Sequence, residues 1–155
     1  MKYLFILFAL LFQYWDDTDI VRDMKAHVAE ITLAQNEGRS PGSEGEKAVA
    51  SYVYETLKSK GIDMLTGPDG DIFGLNTDKG DTLVSRNVAA VISGYDRELK
   101  DHYIVIGARL DNLGTRTVNV DGEPVVKTYY GANGNASGLA MLLELPRMLS
   151  TNKVL

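Results

Sequence analysis

Two short stretches of the sequence decide its fold. The first is Tyr103-Ile104-Val105-Ile106-Gly107-Ala108-Arg109-Leu110-Asp111-Asn112-Leu113-Gly114, an apolar run that ends in polar residues. The second is Gly131-Ala132-Asn133-Gly134-Asn135-Ala136-Ser137-Gly138, a turn of small residues that opens an apolar helix. A strand followed by a loop, a glycine-rich turn and a helix is typical of α/β proteins, which place polar groups at the carboxyl ends of strands. The sequence therefore predicts that both stretches face one cleft.

These stretches resemble the di-zinc aminopeptidase family, which includes bacterial secreted leucyl aminopeptidases, glutaminyl cyclases and the ectodomain of the transferrin receptor. In that family the strand normally ends Gly-Ala-His-x-Asp-His/Ser, and the turn reads Gly-Ala-Asp-Asp-Asn-Ala-Ser-Gly. Further matches, in the same order, are Arg39-Ser40-Pro41-Gly42-Ser43-Glu44-Gly45-Glu46, Arg86-Asn87-Val88-Ala89-Ala90-Val91-Ile92-Ser93-Gly94 and Leu143-Glu144-Leu145. The resemblance spans residues 20–155 and implies an α/β fold, a three-layer αβα sandwich of the zinc-exopeptidase type around a mixed sheet.

The resemblance also shows where this chain departs from the family's metal site. Arg109 stands where the family has its first zinc-binding His, and Gly134 stands where it has the metal-bridging Asp. Asn133 replaces the preceding Asp, and Asn112 falls where many members carry a second His. Asp111, which in the family orients the ligand His, is kept. The resemblance therefore implies that no catalytic residue is retained beyond this supporting Asp.

Zinc is the cofactor of the family, but we expect no metal in this chain. Zinc needs imidazole, thiolate or carboxylate donors, and the permanent positive charge of the Arg109 guanidinium would repel a dication. Arg109 and Asp111 lie two residues apart on one strand and share a face, so we expect the guanidinium to pair with Asp111. The candidates for lining the cleft are Arg109, Asn112, Asn133, Gly134 and Asn135.

The carboxyl-terminal end of the sequence predicts that the domain continues beyond it. The family's remaining site residues, a Glu-Glu pair followed by an Asp and a His, would lie beyond Leu155, and Asn152-Lys153-Val154-Leu155 is typical of the start of a core strand. We therefore expect residues 16–155 to be the N-terminal part of a truncated domain, with a complete short protein as the alternative.

Residues 1–15 are typical of a secretory signal peptide or membrane anchor. One lysine precedes an apolar run over residues 3–12, which is shorter than the ~20 residues of a transmembrane helix. This predicts export to the periplasm, the outside of the cell or a membrane-anchored position. An uncleaved anchor, a misannotated start and a core element of the domain remain alternatives, because residues 13–17 contain no small-residue cleavage pattern.

Composition excludes several classes of function. A chain of 155 residues with 45% hydrophobic residues can bury the core of one domain. A net charge of −5 and a sequence pI near 5.0 argue against a nucleic-acid partner. No cysteine is present, which excludes disulfides and thiolate chemistry. The two histidines, His27 and His102, are interpreted as solvated surface residues.

Periodicity predicts two helices before the first core strand. In the first predicted helix, the apolar residues recur at helical spacing. They are Ile20, Met24, Val28 and Ile31. The second is predicted to begin at Ser43, with Ser43 and Glu46 as a capping box, and to stop at Gly61. Residues 62–85 are expected to be irregular with one short strand, followed by core strands over residues 87–92 and 103–110.

A β-hairpin and a third helix are predicted around the cleft. Asp121-Gly122, flanked by β-branched residues, is a strong hairpin signal, and the hairpin either shapes a peptide groove or is a surface excursion. The helix is predicted over residues 136–149, with Pro146 costing ~3 kcal/mol or kinking its last turn. The turn before it either holds an anion on backbone N–H groups or is only a tight turn.

Two functions remain open at this stage. We favour a catalytically inactive, exported relative of the zinc aminopeptidases that binds a peptide or protein ligand, with membrane contact only through residues 1–15. The alternative is a fragment or variant of an active zinc aminopeptidase that removes N-terminal residues from peptides. The sequence leaves the oligomeric state open.

Overall fold

The computed structural model describes residues 19–94, 96–99 and 101–151. The predicted signal or anchor segment and the predicted strand at 152–155 lie outside these residues. The helices are α1 (residues 19–31), α2 (Glu44–Ser59) and α3 (Ser137–Thr151), with a 3-10 turn at Ala34–Asn36. The strands are β1 (Asp63–Met64), β2 (Asp71–Asn76), β3 (Thr82–Asn87), β4 (Ala90–Val91), β5 (Gly114–Val120) and β6 (Glu123–Tyr129). None of the described helices is long and apolar enough to cross a membrane.

Helix α2 begins where its capping residues predict. The side chain of Ser43 accepts a hydrogen bond from the backbone N–H of Glu46, as expected of an N-cap. The second half of the predicted capping box is wrong, because the Glu46 carboxylate accepts instead from the N–H of Gly42 (2.7 Å) and from the hydroxyl of Ser85. Glu46 is 1% exposed, so this carboxylate ties the start of α2 to β3.

The hydrophobic core lies between the helices. Its buried members are Ile31, Val49, Val53, Leu57, Ala136, Leu139 and Leu143. They come from the end of α1, one face of α2, the turn before α3 and one face of α3, which confirms the helical spacing read from the sequence. Partly buried residues from the strands and from the segment before the cleft pack against them, including Met64, Ala90, Ala108 and Leu110. Each large apolar side chain buried in this way contributes about 2 kcal/mol.

The described strands form three separate antiparallel pairs. The predicted hairpin is confirmed, since β5 and β6 pair from Gly114↔Tyr129 to Val120↔Glu123 around the Asp121-Gly122 turn. The prediction of an irregular segment at 62–85 is wrong, because β2 and β3 form a second hairpin with six paired positions on each strand. The core strand predicted at 87–92 is reduced to β4, which pairs only with β1.

The strand predicted at residues 103–110 is wrong in this structure. This segment has no regular secondary structure, and Ile104 and Val105 are each 91% exposed. A strand requires a hydrogen-bonded neighbour, and none of the described strands pairs with residues 103–110. Helices and strands are both present, as an α/β chain requires, but the described residues do not form the three-layer sandwich that the resemblance implies.

Helix α3 continues through Pro146 to Thr151. Pro146 has no N–H, so the carbonyl of Leu142 loses its helical donor. The next carbonyl, that of Leu143, accepts a hydrogen bond from Lys60 Nζ at 2.7 Å. A lysine from the end of α2 therefore binds the backbone of α3 close to the proline.

Candidate functional site

The structure brings together the two stretches that decided the fold. The backbone N–H of Asn112 donates to the carbonyl of Arg39 (2.9 Å), and its side-chain amide donates to the carbonyl of Tyr129 (2.7 Å). A Cβ at Gly131 would overlap that amide, and a Cβ at Gly134 would lie 3.7 Å from its oxygen. Asn112 therefore lies against the glycine-rich turn, as predicted for one cleft.

Arg39 holds these segments in place. Its guanidinium is 0% exposed and donates to four backbone carbonyls, those of Leu110 (3.1 Å), Ile31 (3.0 Å), Tyr130 (2.8 Å) and Gly131 (3.2 Å). Burial lowers the pKa of this guanidinium, and the charge of Asp111 opposes the shift. One side chain thus joins the end of α1, the end of the exposed segment, the end of β6 and the turn before α3.

The sequence motif included Arg39 but did not reveal this role. A buried arginine looks like a surface arginine in a sequence, because its carbonyl partners are up to 92 residues away along the chain. The only local signal is its position beside Gly38, whose φ of 70° and close approach to the carbonyl of Tyr129 require a residue without a side chain.

Arg109 and Asp111 form the predicted pair. Nε of Arg109 lies 3.1 Å from Oδ1 of Asp111, and Nη2 lies 2.8 Å from Oδ2, so the contact is bidentate. The hydrogen bond and charge of Asp111 raise the pKa of the guanidinium. The side chain of Arg109 is 68% exposed and that of Asp111 is 28% exposed. The pair therefore lies at the protein surface, with both carboxylate oxygens in use.

The turn before α3 is held by its own backbone. Gly131 has left-handed dihedral angles (φ 65°, ψ 42°), and its carbonyl accepts from the N–H groups of Gly134 (3.2 Å) and Ala136 (3.1 Å). Asn135 packs against Gly138, where a Cβ would lie 2.5 Å from both polar atoms of the amide. Asn133 is exposed. Because two of the N–H groups are used internally, the contacts favour a tight turn over an anion site.

The hairpin β5–β6 is attached at the edge of this site. The N–H of Gly114 donates to the carbonyl of Gly38 (3.0 Å), and the hydroxyl of Thr115 lies 3.4 Å from the carbonyl of Glu37. A Cβ at Gly114 would lie 2.5 Å from the side chain of Ser40. The base of the hairpin therefore lies beside Arg39, while most of its side chains are exposed.

These residues do not fit a zinc ion. Arg109 contributes a cation, Gly134 contributes no side chain, and Asp111 uses both oxygens on Arg109. The side-chain amide of Asn112 donates a hydrogen bond to the backbone carbonyl of Tyr129. Across the described ranges, no group of three or more His, Asp or Glu side chains is arranged to hold a metal ion.

A second polar cluster was missed by the sequence and corrects the interpretation of His27. The His27 side chain is only 12% exposed, with Nδ1 2.6 Å from the hydroxyl of Tyr52 and Nε2 3.1 Å from Oε1 of Glu144. Lys60 (2.6 Å) and Arg147 (3.0 Å) also donate to this carboxylate. The prediction of a solvated imidazole holds for His102, which is exposed, and is wrong for His27.

The cluster joins all three helices through one buried carboxylate. Glu144 is 2% exposed, and burial by itself raises the pKa of its carboxyl. Hydrogen bonds from Lys60, His27 and Arg147, together with the charge of Lys60, outweigh burial and bring the pKa below its usual value. Glu144 is therefore ionised and structural, with no link to the candidate cleft.

Comparison with known proteins agrees with the motifs. Residues 87–155 match the model of peptidase family M28, a stretch that contains the exposed segment, the Arg109–Asp111 pair, the glycine-rich turn and α3. The match supports a domain of this zinc-aminopeptidase family and confirms the predicted resemblance over residues 87–155. No curated protein and no solved structure matches the chain.

Proposed function

We propose that this chain is a peptidase-like domain of family M28 that binds a peptide or protein ligand without hydrolysing it. The observation that supports this is the bidentate Arg109–Asp111 pair, which stands where the family binds its first zinc ion. Peptide hydrolysis of the family type depends on a metal to activate water and to polarise the scissile carbonyl. A guanidinium at that position supplies positive charge. Unlike a metal ion, it cannot coordinate a water molecule and lower the pKa of that water, so it cannot generate the nucleophile.

The same pair supports ligand binding. Arg109 remains 68% exposed while it is paired, and a guanidinium has further N–H donors that suit carbonyl or carboxylate oxygens. The amides of Asn133 and Asn135 lie in the neighbouring turn. We infer that this group of polar side chains binds the backbone or the terminal carboxylate of a peptide.

The experiment is a calorimetric titration of zinc into the purified chain together with a hydrolysis assay on a panel of aminoacyl anilides. We expect neither stoichiometric zinc uptake nor product release. Stoichiometric uptake accompanied by turnover would contradict the proposal and would identify the chain as an active aminopeptidase with substitute ligands.

A double variant tests directly whether the residues at positions 109 and 134 are what prevents zinc binding. Arg109→His with Gly134→Asp restores two donors at the family's ligand positions, so we expect zinc affinity to rise above that of the parent chain. Arg116→His, an exposed change on β5, is the matched control and should leave zinc affinity unchanged. Equal zinc affinity in the parent and the double variant would show that these two positions are not what excludes the metal.

We also propose export, with any membrane contact confined to residues 1–15, and no nucleic-acid partner. The apolar run over residues 3–12 and the sequence pI of 5.0 support these proposals. Fusing residues 1–15 to a phosphatase that is active only outside the cytoplasm should give activity, and Leu7→Arg in the apolar run should abolish it. Activity that survives Leu7→Arg would contradict export through this segment.

For architecture, we propose that the domain to which this chain belongs is a three-layer αβα sandwich. The family match supports this, as does the packing of α2 and α3 on a common core with residues of β1, β4 and the segment at 108–110.

A further inference from the structure

The turn before α3 contains an exposed asparagine that is followed by glycine. Asn133 is exposed, and its side-chain amide makes no hydrogen bond to the described residues. The next residue is Gly134, and no other asparagine in the sequence precedes a glycine. A backbone nitrogen that attacks the side-chain carbonyl of the preceding asparagine meets least hindrance when it belongs to glycine, which has no side chain. Asn133 is therefore placed for reaction with its own backbone.

The other described asparagines are protected from this reaction. The side-chain amide of Asn36 donates to two backbone carbonyls (3.0 and 3.1 Å), and that of Asn112 donates to one (2.7 Å). Asn135 is followed by Ala136, which is 0% exposed, so water does not reach the neighbouring nitrogen. The remaining asparagines precede β-branched residues, which are Thr77, Val88 and Val120. A free amide and an unhindered neighbouring nitrogen thus coincide at Asn133.

We propose that Asn133 is a site of spontaneous deamidation. The backbone nitrogen of Gly134 gives its proton to a base in solution and attacks Cγ of Asn133. The N–Cγ bond forms, the Cγ–Nδ2 bond breaks, and Nδ2 leaves as ammonia after taking a proton from water. Water then opens the five-membered imide, and attack at Cγ gives aspartate, whereas attack at the backbone carbonyl gives isoaspartate. The net change converts one amide and one water into one carboxylic acid and one ammonia.

A backbone hydrogen bond of Gly134 opposes this reaction without preventing it. The N–H of Gly134 donates to the carbonyl of Gly131 at 3.2 Å, which is long for a backbone hydrogen bond. Gly134 is exposed, so water competes for the same N–H group. The net strength of such a bond lowers the population with a free nitrogen by a factor of about five. The turn therefore slows the attack only modestly.

The reaction changes the charge of the turn. A neutral amide becomes a carboxylate, so the formal net charge of −5 becomes more negative by one. The aspartate product is also the residue type that the related family carries at this position of the turn. The conversion is independent of the proposed function, because it needs only the chain and water. One consequence does rest on that function, since a carboxylate at position 133 would repel the terminal carboxylate of a bound peptide.

The first experiment incubates the purified full chain at mildly alkaline pH and follows each asparagine by peptide mapping and fragment-ion mass spectrometry. We expect conversion at Asn133 to be roughly tenfold faster than at any other asparagine, because the neighbouring glycine does not hinder ring closure. Both aspartate and isoaspartate should form, and isoelectric focusing should show a more acidic band that grows with time. Absence of conversion at Asn133, or similar rates at all asparagines, would overturn the proposal.

A variant tests the role of the glycine nitrogen. Gly134→Ala is compatible with the fold, because its Cβ would lie 3.7 Å from Oδ1 of Asn112 and the φ angle of −137° suits any residue. The added methyl group should slow conversion at Asn133 roughly tenfold. Gly67→Ala, where the Cβ has open space, is the matched control and should leave the rate unchanged. Equal rates in Gly134→Ala and the parent, with both folded by circular dichroism, would overturn the mechanism.

A comparison with the denatured chain measures the effect of the folded turn. Urea removes the hydrogen bond between Gly134 and Gly131, so conversion at Asn133 should become about five times faster than in the folded chain. Asn112 and Asn135 should gain more, because unfolding also frees their side-chain amides. If Asn133 converted in urea but stayed unchanged in the folded chain, the turn would protect the residue and the proposal would be wrong.

Discussion

Two arginines have different roles because one is buried and the other is exposed. Arg39 is completely buried and saturates backbone carbonyls from four segments, while Arg109 is exposed and pairs with one carboxylate. A buried charge is tolerated only when its hydrogen bonds are made. Arg39 therefore has a large structural role, whereas Arg109 is an exposed cation paired with Asp111.

Replacing Arg39 by lysine should destabilise the protein strongly. An ammonium group cannot reproduce the planar fork that reaches four carbonyls, so some of them remain buried without a donor. We expect the free energy of unfolding to fall by about 3 kcal/mol, measured by urea denaturation. Arg116→Lys on β5 is the control and should change it little. An unchanged value for Arg39→Lys would show that the buried fork is not needed for stability.

Replacing Arg109 by alanine should hardly affect stability. Exposed ion pairs contribute little because water and salt screen them, so we expect a loss below about 1 kcal/mol that shrinks at high salt. The measurement is urea denaturation at low and high ionic strength. A larger loss, independent of salt, would mean that the Arg109–Asp111 pair is shielded from solvent.

At the scale of elements, single polar residues join helices that are far apart in sequence. Glu144 on α3 binds His27 on α1, and Lys60 at the end of α2. Glu46 connects α2 to β3 through Ser85. Such contacts fix how the elements pack, whereas the apolar core provides most of the driving force.

The Glu144 cluster predicts acid sensitivity. Its pKa is lowered in the folded state, so the stabilisation is complete above the ordinary glutamate pKa of 4.5 and is lost as pH falls below that value toward the folded pKa. Glu144→Gln should cost about 3 kcal/mol at neutral pH and should flatten the acid limb of a plot of unfolding free energy against pH. Glu55→Gln, at an exposed position on α2, should leave that limb unchanged. If the acid limb of the Glu144→Gln variant had the same slope as that of the parent, the loss of stability in acid would not come from protonation of Glu144.

The β5–β6 hairpin depends on its turn. Asp121 and Gly122 both have positive φ angles (53° and 93°), and a Cβ at Gly122 would meet nothing within 4 Å. Gly122→Val should therefore destabilise the hairpin only through backbone strain, by about 1–2 kcal/mol. Amide hydrogen exchange across the pair Thr115↔Thr128 measures this. Gly67→Val, where the Cβ also has open space, is the control. Equal exchange rates in the Gly122 variant and the parent would show that the turn does not limit hairpin stability.

At the scale of the whole molecule, the described residues form a helical core with three separate strand pairs around it. The site is assembled at the meeting point of four segments that Arg39 joins. The apolar segment at 103–106 leaves this core and is exposed in the described residues.

Local features were predictable from the sequence alone. The helix periods, the N-cap at Ser43, the Asp121-Gly122 hairpin and the family motifs within residues 87–155 depend on residues close together in the chain, and the structure or the family match confirms them. The Arg109–Asp111 pair belongs to this group, because residues two apart in an extended segment share a face.

Only the tertiary structure decided the rest. The burial of Arg39 and His27 and the ionised state of Glu144 depend on partners up to 117 residues apart. Whether residues 103–110 form a strand depends on a hydrogen-bonded neighbour, which their own sequence cannot supply. Propensity and motif describe what a segment can become, while burial and pairing energies arise only when distant segments meet.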